Sequence, residues 1–204
     1  MIDWPFGNLQ MFKYQVVVAD PPWTFELRSE AGEAKAPQAH YACMSLDDIK
    51  ALPVGSLASS DCLLLLWTCG WAIATGQAQD VARAWGAKPI TELVWRKTTT
   101  RGKVRVGPGY RARTMHEPVL LCTFGNPHHP AFPSMFDGIA REHSRKPDEF
   151  YSMVQFKTAG AWRCDLFSGG HHRPGFEGWG APHRKTTEPS PEELSPCSPL
   201  VASL

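Results

Sequence analysis

Apolar positions along this chain fall into short blocks with two different spacings. Residues 14–19 (Tyr14-Gln15-Val16-Val17-Val18-Ala19) and 62–67 (Cys62-Leu63-Leu64-Leu65-Leu66-Trp67) are nearly unbroken apolar runs of strand length. A strand with no polar side has to be covered on both faces, so these runs predict strands inside a parallel sheet. Shorter runs predict further strands over 90–95, 118–124 and 162–167. Between 72 and 85 the spacing changes: Ala74, Ala78, Val81, Ala82 and Trp85 recur at helical intervals, and Gly86 closes the stripe. Ser45-Leu46-Asp47-Asp48 has the form of a capping box and predicts a short helix through Leu52, stopped by Pro53. Pro147-Asp148-Glu149 predicts another helix, with proline at its first position and acids facing the positive end of the dipole. Phe150, Met153 and Val154 form its apolar face.

Strands alternating with helices predict a three-layer α/β fold, in which ligands bind beyond the carboxyl ends of the strands. The pattern occupies residues 1–182 as one domain, and the Pro-, Ser-, Thr- and Glu-rich residues 183–204 are expected to be a disordered tail. No apolar run approaches the roughly 18 residues of a membrane span. The opening Met1-Ile2-Asp3-Trp4-Pro5 lacks the basic start and apolar stretch of a signal peptide, so a cytoplasmic protein with reduced cysteines is expected. The six cysteines are scattered without a Cys-x-x-Cys pair, and the side chains of the adjacent histidines 128–129 and 171–172 diverge; no metal site is expected.

The net charge of +1 implies no strong global field, but its distribution is uneven. Arg96, Lys97, Arg101, Lys103, Arg105, Arg111 and Arg113 fall in one stretch with no acid and with Tyr110 among them. Such a loop predicts contact with phosphates. Gly107 and Gly109 would let it move.

The most informative motif is Asp20-Pro21-Pro22-Trp23, directly after the first predicted strand. Two consecutive prolines fix φ and contribute no N–H, so the turn offers acceptors: the Asp20 carboxylate and the Pro21 carbonyl. That suits a ligand presenting an NH₂ group, such as the exocyclic amine of adenine. The amine's lone pair is delocalised into the ring, and holding both hydrogens lets the nitrogen become pyramidal. Trp23 is expected to supply a flat face for the base, which must be flipped out of a duplex or already single-stranded.

The tetrad recurs with other segments in a fixed order: 16–23, His40-Tyr41-Ala42-Cys43-Met44-Ser45, Leu63 to Trp67, Trp95-Arg96-Lys97, Gly107-Pro108-Gly109-Tyr110 leading to Arg113 and His116-Glu117, and Arg141 to Glu149. Together they resemble the DPPW-type adenine-N6 methyltransferases, the family containing the catalytic subunit of the eukaryotic messenger-RNA adenosine methyltransferase and many bacterial and phage proteins. The bacterial and phage branch is the nearer match. The resemblance implies a Rossmann-like, S-adenosylmethionine-dependent methyltransferase sheet in permuted order, with the tetrad before the cofactor strand. It implies that Tyr41, Trp67 and Trp95 approach the target adenine or its sugar, with Lys97 and Glu117 supporting the pocket. Cofactor contacts are implied for Asp20, the backbone near Asp3 and Trp4, Lys146, Asp165, and His171 and His172. DNA is the expected polymer, with RNA as the alternative.

The match breaks near the carboxyl end. Where the family usually carries an arginine this chain has Gly169, and at the amide-bearing position it has Ala181. Each lost side chain removes a hydrogen bond worth on the order of 1–3 kcal/mol, so cofactor binding is expected to be weaker or rewired through His171, His172 or Arg173. A non-catalytic nucleic-acid-binding subunit with the same fold is the other reading this leaves open.

Overall fold

In the computed structural model the described residues are 4–23, 44–107, 111–142, 145–170 and 173–180. Among them a sheet of seven strands runs β5-β3-β4-β2-β1-β6-β7. The strands are β1 Tyr14–Ala19, β2 Ala58–Trp67, β3 Lys88–Thr98, β4 His116–Phe124, β5 Met135–Ile139, β6 Arg163–Leu166 and β7 Glu177–Trp179. β1 is parallel to β2 and β6, β6 to β7, and β3 to β5, while β4 is antiparallel to both β2 and β3. Six strands therefore share one direction and β4 alone runs back.

The two-residue period of a strand sorts its side chains onto two faces. Val17, Ala19, Leu64 and Leu66 join one core with Ile49 of α1 (Leu46–Ala51) and Ala78, Val81 and Ala82 of α3 (Gln77–Ala84). Val16, Val18, Leu63, Leu65 and Trp67 join the other with Phe150, Tyr151 and Val154 of α4 (Asp148–Lys157). Helices thus cover both faces, giving the predicted three-layer, Rossmann-like architecture. No helix among the described residues is long and apolar enough to cross a membrane.

β1 has the predicted bounds, and the Ser45 cap is formed: its Oγ accepts the Asp48 amide at 3.1 Å. The predicted helix over 72–85 is two helices, α2 (Gly70–Ala74) and α3, broken where Gly76 takes φ +79°. Pro147 caps α4 from outside its first turn rather than occupying it. β5 and β7, at the sheet's two edges, were not among the predicted strands. The proposed tail, 183–204, lies outside the described residues, as do Asp3, Tyr41, His171 and His172.

Candidate active site

The strand directions bring Asp20, Trp67, Lys97 and Asp165 to one edge of the sheet. Each lies at the carboxyl end of its strand, and Glu117 joins them from the amino end of the reversed β4. Asp20 is anchored by its own amide, which donates to the Leu166 carbonyl at 3.3 Å and so ties the end of β1 to the end of β6.

Four charged side chains form a row across this edge. Lys97 Nζ donates to Glu117 Oε1 at 2.5 Å, and Lys146 Nζ lies 3.1 Å from Glu117 Oε2 and 3.0 Å from Asp20 Oδ2. Burial works against charge on Lys146, but Asp20 and Glu117 outweigh it and hold its pKa above the ordinary lysine value. Burial likewise opposes ionisation of Glu117, and Lys146 with Lys97 reverses this, leaving its pKa lowered. Lys146 is therefore held as a cation and Glu117 as a carboxylate, and Lys146 fixes the Asp20 side chain by an ion pair.

Next to the row, Asp165 is 2% exposed. Its Oδ1 accepts from the Tyr151 hydroxyl at 3.3 Å, while its Oδ2 lies 3.4 Å from Arg173 Nε. Arg173 stacks on the Tyr151 ring at 3.6 Å and reaches Asp148 Oδ1 at 3.2 Å and the Lys146 carbonyl at 3.3 Å. Asp148 also pairs with Arg141 and Arg145. Burial pushes the Asp165 carboxyl up to about 7 despite Arg173 and Tyr151, which both favour its charged form.

A family model described as MT-A70 matches residues 14–182. The chain belongs to the MT-A70 family. It is 32% identical over 165 residues to the N(6)-adenosine-methyltransferase MT-A70-like protein of Drosophila melanogaster, an alignment covering 78% of this chain and 25% of that protein. It is 28% identical over 167 residues to the N(6)-adenosine-methyltransferase catalytic subunit METTL3 of Homo sapiens, covering 78% and 26%. It is 30% identical over 112 residues to the Type II methyltransferase M.MunI of a Mycoplasma species, covering 47% of each. The chain thus spans about a quarter of the length of these eukaryotic relatives.

S-adenosylmethionine is the cofactor expected of an MT-A70 methyltransferase, and the residues at this edge fit it. Among the described residues Asp165 Oδ2 and Arg173 Nε are buried without a hydrogen-bond partner, and a hydroxyl, both donor and acceptor, is the kind of group that completes such a pair. Trp4 is close to the same side of the MT-A70 sheet: its indole donates to the Leu9 carbonyl at 2.8 Å and packs on Phe6, which packs on Trp179 of β7.

Three tryptophans expected to meet the base are not presented to it. Trp23 is 6% exposed, sits in the α1–α3 core, and donates its indole N–H to the Trp67 carbonyl at 3.0 Å. Trp67 and Trp95 pack edge to face in the α4 core at 5.9 Å, and the Trp95 indole donates to the Gly138 carbonyl at 2.9 Å. Lys146 lies 5.1 Å from the Trp67 ring centroid and Lys97 the same distance from that of Trp95. The rings are the apolar floor under the charged row. Strand alternation explains this, since Trp67 shares the parity of Leu63 and Leu65. The proline carbonyls are also partly used: Pro21 accepts the Trp23 amide at 2.8 Å and Pro22 the Met44 amide at 3.2 Å. Among the described residues each of these carbonyls has one donor.

The cationic stretch extends the β3–β4 hairpin past the sheet. Thr98 bridges Val104, and the Gly107 amide donates to Thr114 at 2.7 Å. Arg101, Lys103, Arg105, Arg111 and Arg113 are exposed along it. Arg96 does not belong with them, because it forks onto Asp137 of β5 at 2.6 and 2.5 Å, and Lys97 is paired with Glu117. Arg105 also donates to the Ala140 carbonyl at 3.0 Å, which ties the arm to the end of β5. Sequence reasoning did not single out Tyr151; the available signal was a hydroxyl set between Phe150 and Val154 on a buried helix face.

Proposed function

We propose that this chain transfers a methyl group from S-adenosylmethionine to the exocyclic N6 amine of adenine in DNA. The observation that carries the reading is the Asp20 carboxylate, held 3.0 Å from Lys146 at the carboxyl end of β1, one strand from the buried Asp165. Bound there, S-adenosylmethionine would supply an electrophilic methyl on a sulfonium. Asp20 accepts a hydrogen bond from the adenine amine, and the Pro21 carbonyl, which has one donor among the described residues, accepts the other. Holding the hydrogens on one side turns the nitrogen lone pair toward the donor, so the contribution of the protein is alignment and electrostatics. Lys146, 3.0 Å from Oδ2, keeps Asp20 from rotating away. No covalent intermediate with the protein is required.

The exposed cations of the β3–β4 arm lie at the same edge and support a polyanionic substrate. DNA is favoured because the matching segments look bacterial or phage-like, and because M.MunI, named as a type II methyltransferase, is matched over nearly half its length. The adenosine in the names of the eukaryotic relatives favours RNA as the second reading. Incubation with isotope-labelled S-adenosylmethionine and matched DNA and RNA strands, followed by nucleoside mass spectrometry, separates the two. N6-methyladenine in the DNA arm is expected. Label in RNA alone would overturn the choice of polymer, and failure of the chain to bind S-adenosylmethionine at millimolar concentration would favour a non-catalytic nucleic-acid-binding subunit.

A further inference from the structure

Gly169 stands where the resemblance expects an arginine, yet the neighbourhood of the β6 acid holds a guanidinium. It comes from Arg173, four residues further on, and its placement is over-determined. One face stacks on Tyr151 at 3.6 Å, one end reaches Asp148 at 3.2 Å, and the other reaches the Lys146 carbonyl at 3.3 Å. These contacts leave Nε 3.4 Å from Asp165 Oδ2, with no hydrogen bond made by either atom among the described residues. Tyr151 serves both partners, donating its hydroxyl to Asp165 and offering its ring to Arg173.

We propose that Arg173 is a positioning residue for cofactor binding: stacked on Tyr151, its guanidinium keeps the buried Asp165 at the end of β6 from being driven wholly to its neutral form, so that the carboxylate can accept hydrogen bonds from the cofactor's sugar hydroxyls. The proposal rests on the reading of this edge as an S-adenosylmethionine site. A carboxyl buried this deeply is driven toward its neutral form unless a cation or donor offsets the loss of water. Among the described residues the groups that bear most on Asp165 are Arg173 from the turn before β7, Tyr151 from α4, Asp20 from the end of β1, and Lys146 from the segment entering α4. Arg173 does most to favour the charged form and Tyr151 next, while Asp20 opposes it. Asp148 shares the guanidinium with Asp165: its Oδ1 accepts from Arg173 Nη1 at 3.2 Å, and its Oδ2 pairs with Arg141 and Arg145. The balance leaves Asp165 titrating at about 7, so loss of the Arg173 charge moves it out of the neutral range.

Two measurements on the full chain test this. Carboxyl-carbon NMR of the ligand-free protein, with Asp165 assigned by Asp165→Asn, reads the ionisation directly. A midpoint near neutrality is expected, displaced upward by a pH unit or more in Arg173→Gln and restored by Arg173→Lys. Calorimetric titration with S-adenosylmethionine between pH 6 and 9 reads the consequence. Arg173→Gln is expected to bind more weakly by about fivefold or more at pH 7, the loss of the ionised fraction, and to recover toward the unaltered protein at pH 9, whereas Asp165→Asn binds weakly at every pH. If Arg173→Gln does not fold, Tyr151→Phe, which keeps the ring and removes the hydroxyl, is expected to raise the midpoint in the same direction by a smaller amount. An Asp165 midpoint unmoved in Arg173→Gln, or a loss of affinity equal at pH 7 and pH 9, would overturn the proposal. Absence of cofactor binding by the unaltered chain at all pH values would instead overturn the functional reading, and with it the purpose assigned to Asp165, while the NMR arm still decides whether Arg173 controls its charge.

Discussion

Asp20 and Trp23 are three residues apart and do different work. Asp20 faces the edge of the sheet, while Trp23 turns under it and ties the loop after β1 to the end of β2 through the Trp67 carbonyl. Replacing Trp23 with phenylalanine keeps most of the packing but leaves that buried carbonyl without its donor, a loss of roughly 1–3 kcal/mol in stability. Chemical denaturation is expected to show this destabilisation, together with a smaller fall in turnover than any change at Asp20 produces. A Trp23→Phe variant of unchanged stability that had lost base binding would restore the stacking role that its burial argues against.

Elements set which residues meet. The Ser45 cap starts α1, and Ser45→Ala is expected to cost about 1 kcal/mol without affecting catalysis, measured by thermal unfolding alongside methyl transfer. The β3–β4 arm belongs to the opposite class. Serine at Arg101, Lys103 and Arg113 is expected to leave stability unchanged and to reduce the dependence of DNA affinity on salt by about 0.9 log unit per log unit of salt for each phosphate contact removed. An unchanged salt slope would remove the arm from the interface. Much of this layout was legible in the sequence. β1 and the first half of the site stood out because a strand covered on both faces writes an unbroken apolar run, and because a proline pair ends it. β5 and β7 did not. β5 lies at one edge of the sheet and carries Asp137 and Gly138 in five residues, with that glycine required because a Cβ there would sit 2.7 Å from Trp95 Nε1 and 2.6 Å from Pro147 Cβ. β7 is three residues long, too short to show a period. The break between α2 and α3 was hidden because the apolar stripe continues across Gly76. The tryptophans were misplaced for a different reason: their position at strand ends was weighed, and the parity that sends Trp67 to the side of Leu63 and Leu65 was not.

For the whole molecule, the buried charges at one edge give stability a pH dependence of mixed sign. Asp165 titrates in the folded state at about 7, above its ordinary 3.8. Its contribution is therefore fully present below pH 4 and is lost as pH rises through 7. Glu117 and Asp148 have lowered values, Glu117 because its lysine partners overcome burial and Asp148 because of its hydrogen bond with Arg141. Their contribution is present above the ordinary carboxylate range and lost as pH falls through it. Denaturation between pH 4 and 8 is expected to show the decline from Asp165 flattened in Asp165→Asn. In the proposed reaction the same edge carries the chemistry, with the carboxylate of Asp20 beside Lys146 as its central element. The most direct test is single-turnover methyl transfer to an adenine-containing DNA strand by the unaltered chain and by Asp20→Asn, with S-adenosylmethionine binding measured on both. A fall in the rate of N6-methyladenine formation of at least a hundredfold in Asp20→Asn, with cofactor binding largely retained, is the predicted result. Methylation by Asp20→Asn at the rate of the unaltered chain would contradict the account.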